Sequence, residues 1–294
     1  MALFRLCLLL LLPLMSHAND EFTPASFDDV LALPQPESVE PIAWGDHPLQ
    51  NGELRLPEGD GPHPVIMVIH GGCWLADYNR DYMRPLAAAL TEQGFATWLI
   101  SYRRLGDEGG GWPQTFLDVA DGFDHLRVLA EQYPIDLERS ASLGHSAGGH
   151  LALWLARRTQ LDTNSELHST QPLKPAVSVG LAAISDPIEY AAGEGSCNEQ
   201  TPRLFGGMPQ DQYQRYQDGS PRAGLPLPGQ QILLHGEQDP IVEVGQSQDQ
   251  ALMSIQADGL AHLITVNRTG HFEPVMPQGP SWNLLLGALQ EALK

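Results

Sequence analysis

Apolar residues fall along this chain in short runs, separated by polar stretches marked with glycine and proline. Val65-Ile66-Met67-Val68-Ile69 and Phe95-Ala96-Thr97-Trp98-Leu99-Ile100 are continuous runs rich in β-branched and aromatic residues. Unbroken runs of that length predict strands buried on both faces. Residues 141–143, 177–182, 232–234 and 263–266 repeat the pattern, and residues 53–56 read as a short strand before the turn at 57–61. Between the runs the period changes. Phe116, Val119, Ala120, Phe123, Leu126 and Leu129 carry the three/four spacing of one amphipathic helix. Residues 84–92 read as a helix stopped by Gly94, residues 151–156 open another, and residues 282–292 close the chain. Strands that alternate with helices predict an α/β fold, with a mostly parallel sheet covered on both faces. Residues 185–230 are rich in Gly, Pro, Gln and Asp and break the alternation. They read as a partly helical insertion near the mouth of any site. Residues 19–41 read as an acidic, proline-containing arm over the surface.

Length and composition narrow this picture. The chain has 294 residues, 42% of them hydrophobic. That suffices for one large domain over residues 19–294. Residues 1–18 have the form of a signal peptide: Arg5, an apolar run from Leu6 to Leu12, then Ser16-His17-Ala18 as an A-x-A-like cleavage site. The expected location is therefore exported, periplasmic or secreted. The apolar run is short for a membrane span, so no stable membrane insertion is expected after cleavage. The net charge of −20 argues against nucleic acid and anionic membrane surfaces as partners. Cys73 and Cys197 follow the leader. An oxidising compartment permits a disulfide between them; the alternative is two unrelated buried thiols, since connectivity cannot be read from sequence. Oligomeric state is not legible.

The candidate chemistry lies where the strands are expected to end, since ligands of open α/β sheets bind at the carboxyl ends of strands. Gly144-x-Ser146-x-Gly148 joins the run ending at Leu143 to an apolar helix pattern. A serine on such a sharp turn presents its hydroxyl, and side chains at the flanking positions would collide with strand and helix. Alone, this motif is equally a glycine-rich turn with an incidental serine. His70-Gly71-Gly72-Cys73 follows the strand at 65–69. Tandem glycines let backbone N–H groups approach a ligand and stabilise an oxyanion. Asp239 and His271 follow the last two strands, so the chain order is Ser146, Asp239, His271. That is the order of a nucleophile, an orienting acid and a base in this kind of sheet. Glu237 is a weaker candidate acid, and His70, His145 and His235 read as structural or supporting. No metal site is expected, because neither H-E-x-x-H nor C-x-x-C occurs. No cofactor is expected either, because the nucleotide-binding glycine motifs are missing.

These residues resemble the α/β-hydrolase family, in the branch of esterases, lipases and kynurenine formamidases. The resemblance runs from about Pro41 to Trp282. It rests on Trp44-Gly45-Asp46-His47-Pro48-Leu49-Gln50, His70-Gly71-Gly72-Cys73-Trp74, residues 144–152, Leu204-Phe205-Gly206-Gly207 and Gly270-His271-Phe272-Glu273. It implies Ser146, Asp239 and His271 as catalytic triad, and the N–H groups of Gly72, Cys73 and Ala147 as oxyanion hole. Cys73 departs from the glycine of many esterases and from the larger residue, often tyrosine, of formamidase-like members. The N–H survives that change and the pocket wall does not. The expected activity is hydrolysis of small or medium carboxylic esters through an acyl-enzyme. The alternatives are an arylformamidase acting on an N-formylkynurenine-like amide, and a non-catalytic binding protein on the same fold. Trp74, Trp112 and Phe272 are candidates to line an apolar pocket.

Overall fold

The computed structural model describes residues 22–193 and 197–294. The signal-like segment 1–18 lies outside these described residues. Among the described residues, eight strands form one sheet: β1 Ile42–Ala43, β2 Asn51–Arg55, β3 His63–Ile69, β4 Ala96–Ile100, β5 Ile135–His145, β6 Val177–Leu181, β7 Gln230–Gly236 and β8 Leu260–Val266. Their order is β1-β2-β4-β3-β5-β6-β7-β8. The pairings β1–β2 and β2–β4 are antiparallel, and all others are parallel. The helices are α1 Phe27–Leu31, α2 Arg84–Glu92, α3 Gln114–Asp124, α4 Leu126–Ala130, α5 Ala147–Arg157, α6 Pro187–Tyr190, α7 Gln200–Phe205, α8 Tyr213–Gly219, α9 Gly245–Gln256 and α10 Trp282–Ala292. This is the α/β-hydrolase fold.

The twofold alternation of a strand explains the layers. Val65, Met67 and Ile69 of β3 point into one core with Phe116 and Phe123 of α3 and Leu151 and Trp154 of α5. Ile66 and Val68 point into the other, with Leu86 and Leu90 of α2 and Leu285 and Leu289 of α10. Burying both faces leaves no polar stripe on β3, as its unbroken apolar run required.

Three segments differ from the sequence reading. The helix expected through Leu129 is broken at His125, which caps α3 and precedes α4. Helix α9 has no apolar stripe, because its inward face is polar: Gln246, Ser247, Gln250 and Ser254 are buried. Most of their polar atoms are paired, and Gln246 Oε1 accepts the N–H groups of Ser185 and Asp186. Ser247 meets His235, Gln250 donates to Gln231, and Gln231 donates to Ser254. The arm is more than a surface strap. A capping box between Ser26 and Asp29 starts α1. Phe27 then packs edge-on against Tyr78 and Tyr82, at ring centroid distances of 5.4 and 5.5 Å.

Candidate active site

Strand β5 ends at His145, and the chain turns into α5 through Ser146, at φ 57° and ψ −122°. Such a conformation costs a non-glycine residue of order 1–3 kcal/mol and persists only where the surroundings enforce it. Two features enforce it here. The Ser146 N–H donates to the Leu181 carbonyl at 2.8 Å. A Cβ on Gly144 would overlap the Gly148 carbonyl, and one on Gly148 would overlap the carbonyls of Ile69 and His70. Both glycines are needed for strand and helix to approach this closely. Ala147 opens α5, so its N–H lies in the first turn, where no helical carbonyl can accept it.

The loop after β3 carries Gly72, Cys73 and Trp74, all at positive φ (96°, 52° and 57°). Among the described residues, neither the Gly72 nor the Cys73 N–H has an acceptor within the protein. Cys73 is joined to Cys197 by a disulfide, with Cα atoms 5.0 Å apart. This decides what the spacing of the two cysteines left open. The bridge pins the start of α7, in the segment between β6 and β7, to the loop after β3.

Asp239 follows β7 and His271 follows β8. His271 Nδ1 lies 2.7 Å from Asp239 Oδ2. A carboxylate only accepts, so Nδ1 carries the proton and Nε2 keeps a lone pair. The other oxygen, Oδ1, accepts the N–H groups of Ile241 and Val242 at 2.8 and 2.9 Å. His235 Nε2 approaches Oδ2 at 3.2 Å while also donating to the Val242 carbonyl. Burial opposes ionisation of Asp239, but hydrogen bonds from His235 and His271 outweigh it and hold the carboxyl well below the usual range. Glu237 is exposed and takes no part.

Ser146, His271, Gly72 and Cys73 line one cavity of about 140 Å³. Its remaining wall comes from Phe27, Tyr78, Tyr82, His145, Cys197, Ile241 and Phe272. Ser146 is 2% exposed and His271 is 3% exposed, so the hydroxyl and imidazole are screened from bulk water. The two side chains are not hydrogen-bonded to each other; such contacts often close only when substrate binds. Of the aromatic candidates, Phe272 lines the cavity. Trp74 is fully buried against His150, and Trp112 lies elsewhere, donating to Glu166 at 2.8 Å. Sequence reasoning missed Phe27, Tyr78, Tyr82 and Ile241. Tyr78 and Tyr82 are one helical turn apart before α2, and Ile241 follows Asp239 by two, but neither spacing announces a pocket.

Among the described residues, no cluster of three His, Cys, Asp or Glu side chains could hold a metal ion. No helix among them is long and apolar enough to cross a membrane.

The BD-FAE family model matches residues 53–252. The chain belongs to this family. The match takes in Ser146, Asp239 and the loop after β3, and ends before His271. An uncharacterized 31.7 kDa protein of Escherichia coli is 34% identical over 110 residues, 35% of this chain and 37% of that protein. A probable carboxylic ester hydrolase of Mycobacterium tuberculosis, LipM, is 33% identical over 115 residues, 38% of this chain and 26% of LipM. The chain thus matches between about a quarter and just over a third of the length of these curated relatives. A solved carbohydrate esterase from gut microbiota has the same fold, with a TM-score of 0.74 at 20% identity over 86% of this chain and 95% of that one.

Proposed function

We propose that this BD-FAE family member is a serine hydrolase that cleaves small carboxylic esters through an acyl-enzyme. One observation carries the reading: a serine held in a strained turn at a helix N-terminus shares a small cavity with a histidine whose far nitrogen is fixed by a buried carboxylate. Ser146 is the nucleophile. His271 Nε2, with its lone pair free, takes the Ser146 proton as the carbonyl is attacked, then returns it to the departing alcohol. Asp239 holds the tautomer and stabilises the imidazolium. The N–H groups of Gly72, Cys73 and Ala147 receive the oxyanion. Such preorganised donors act where charge develops and water is excluded. Water then enters by the same route, and His271 activates it against the acyl-Ser146 ester.

The cavity favours a short acyl group, since aromatic rings close it on several sides. The name of LipM and the esterase fold of the gut carbohydrate esterase support ester hydrolysis as the reaction class. We also infer export, on the form of residues 1–18 and on the Cys73–Cys197 disulfide, because such bonds persist in oxidising compartments.

The test is turnover of p-nitrophenyl acetate beside N-formylkynurenine. The wild type is expected to prefer the ester, and Ser146→Ala to lower kcat by roughly 10⁴-fold or more with its fold retained. Full turnover by Ser146→Ala refutes the nucleophile, and preference for the formamide refutes the substrate class.

A further inference from the structure

The serine elbow contains a buried hydrogen-bonded bridge that the triad does not use. His145 directly precedes Ser146 and is fully enclosed. Its Nε2 lies 2.9 Å from the His271 carbonyl oxygen, and its Nδ1 lies 2.9 Å from the Tyr82 hydroxyl. The same hydroxyl lies 2.6 Å from the Gly71 N–H.

Donors and acceptors along this bridge can be assigned in only one way. The His271 carbonyl only accepts, so His145 Nε2 must carry a proton. A neutral ring then has Nδ1 as acceptor, and the Tyr82 O–H must donate to it. The Tyr82 oxygen accepts from Gly71. Every polar atom is satisfied, as a buried network requires. Burial pushes the His145 pKa down to about 3, so the ring stays neutral. It faces Tyr82, His271 and Phe272, with the Asp239–His235 pair beyond.

The bridge joins two loops that must keep register. Gly71 immediately precedes Gly72 and Cys73. The His271 carbonyl belongs to the residue whose ring must meet Ser146, and the rings of His145 and His271 lie 4.6 Å apart. We propose that Tyr82 and His145 are positioning residues that lock the oxyanion loop to the loop of the base, a role that rests on the triad reading above. Both line the cavity, but their polar atoms are engaged with each other, the Gly71 N–H and the His271 carbonyl. Their work is to hold donor and base at fixed spacing, where small misplacements are costly.

Two measurements test this. The tautomer of His145 is read by ¹⁵N NMR on the wild-type protein, without any need for turnover. The Nε2–H form is expected; the Nδ1–H form, or a charged ring at neutral pH, overturns the bridge. Kinetics on p-nitrophenyl acetate supply the second. Tyr82→Phe keeps the ring and is expected to lower kcat roughly 10- to 100-fold with KM within about twofold. His145→Gln keeps one amide able to donate to the His271 carbonyl, so it should retain more kcat than His145→Phe. Wild-type kcat in Tyr82→Phe, or equal loss in His145→Gln and His145→Phe, overturns the positioning role. If His145→Phe does not fold, Tyr82→Phe and the tautomer decide. Loss of ester turnover in the wild type would defeat the proposed function while leaving the NMR result intact, so the two failures are distinct.

Discussion

The two walls of the cavity are built differently. One wall, with Gly72, Ser146 and His271, stands on loops that leave the ends of parallel strands β3, β5 and β8. The other, with Phe27, Tyr78, Cys197 and Ile241, is assembled from an N-terminal arm, an approach to a helix, a bridged segment and a turn. The first wall is held by main-chain geometry: sheet register, close glycine contacts and hydrogen bonds to backbone. The second depends on side-chain packing between segments far apart in sequence. The difference separates chemistry from selectivity. Changes to the first wall should abolish reaction, and changes to the second should alter which substrate reacts or how firmly the fold holds.

After Ser146→Ala, Asp239→Asn should give the next largest effect on the first wall, acting through His271. The amide can donate where the carboxylate accepts, so the His271 tautomer loses its restraint. A fall in kcat of about 10⁴-fold is expected for ester hydrolysis. A loss below tenfold would show that the carboxylate does not set the base.

Mild acid tests the buried histidines in the segments that carry this wall. His70, His145 and His150 are buried, and burial pushes their pKa values down to about 3, 3 and 4. Below pH 6.5 the unfolded chain binds protons that these rings in the native protein refuse. Stability is therefore complete above about pH 6.5 and is lost as pH falls toward 4, by up to about 1.4 kcal/mol per pH unit for each ring. Urea unfolding at pH 7 and pH 5 measures this, and equal midpoints would contradict it.

The second wall should answer differently. Cys197→Ser removes the bridge and leaves the Cys73 N–H in place. Closing a span of 124 residues restricts the unfolded chain strongly. The variant should lose about 2–4 kcal/mol in urea unfolding while its acetate kcat falls far less than that of Asp239→Asn. A kcat loss as large as that of Asp239→Asn would merge the two walls into one. Phe27→Ala should give the smallest effect. Removing the ring widens the cavity and should shift the ratio of hexanoate to acetate turnover about tenfold toward hexanoate. An unchanged ratio would place the acyl group elsewhere.

The same division explains what the sequence made legible. Ser146, Asp239 and His271 could be nominated because each follows a strand whose apolar run is readable, and strand order fixes which loops meet. The loop after β3 could be nominated as oxyanion hole for the same reason. Phe27 was hidden because its partners, Tyr78 and Tyr82, are fifty residues away and no periodicity links them. Helix α9 was hidden because its buried face is polar and hydrogen-bonds to Gln231 and His235, which an apolar pattern cannot show. The cysteine pair stayed open because spacing says nothing of the 5.0 Å approach that folding creates. His145 read as supporting, yet its hydrogen-bond partners Tyr82 and His271 come from remote loops and became visible only with coordinates.

The central claim is that Ser146 is a nucleophile activated by His271. A fluorophosphonate probe, followed by mass spectrometry of the labelled peptide, tests it most directly. One adduct is expected, on Ser146, and its formation should collapse in His271→Ala protein that remains folded. An unlabelled wild type, an adduct on another residue, or undiminished labelling without His271 would contradict the account.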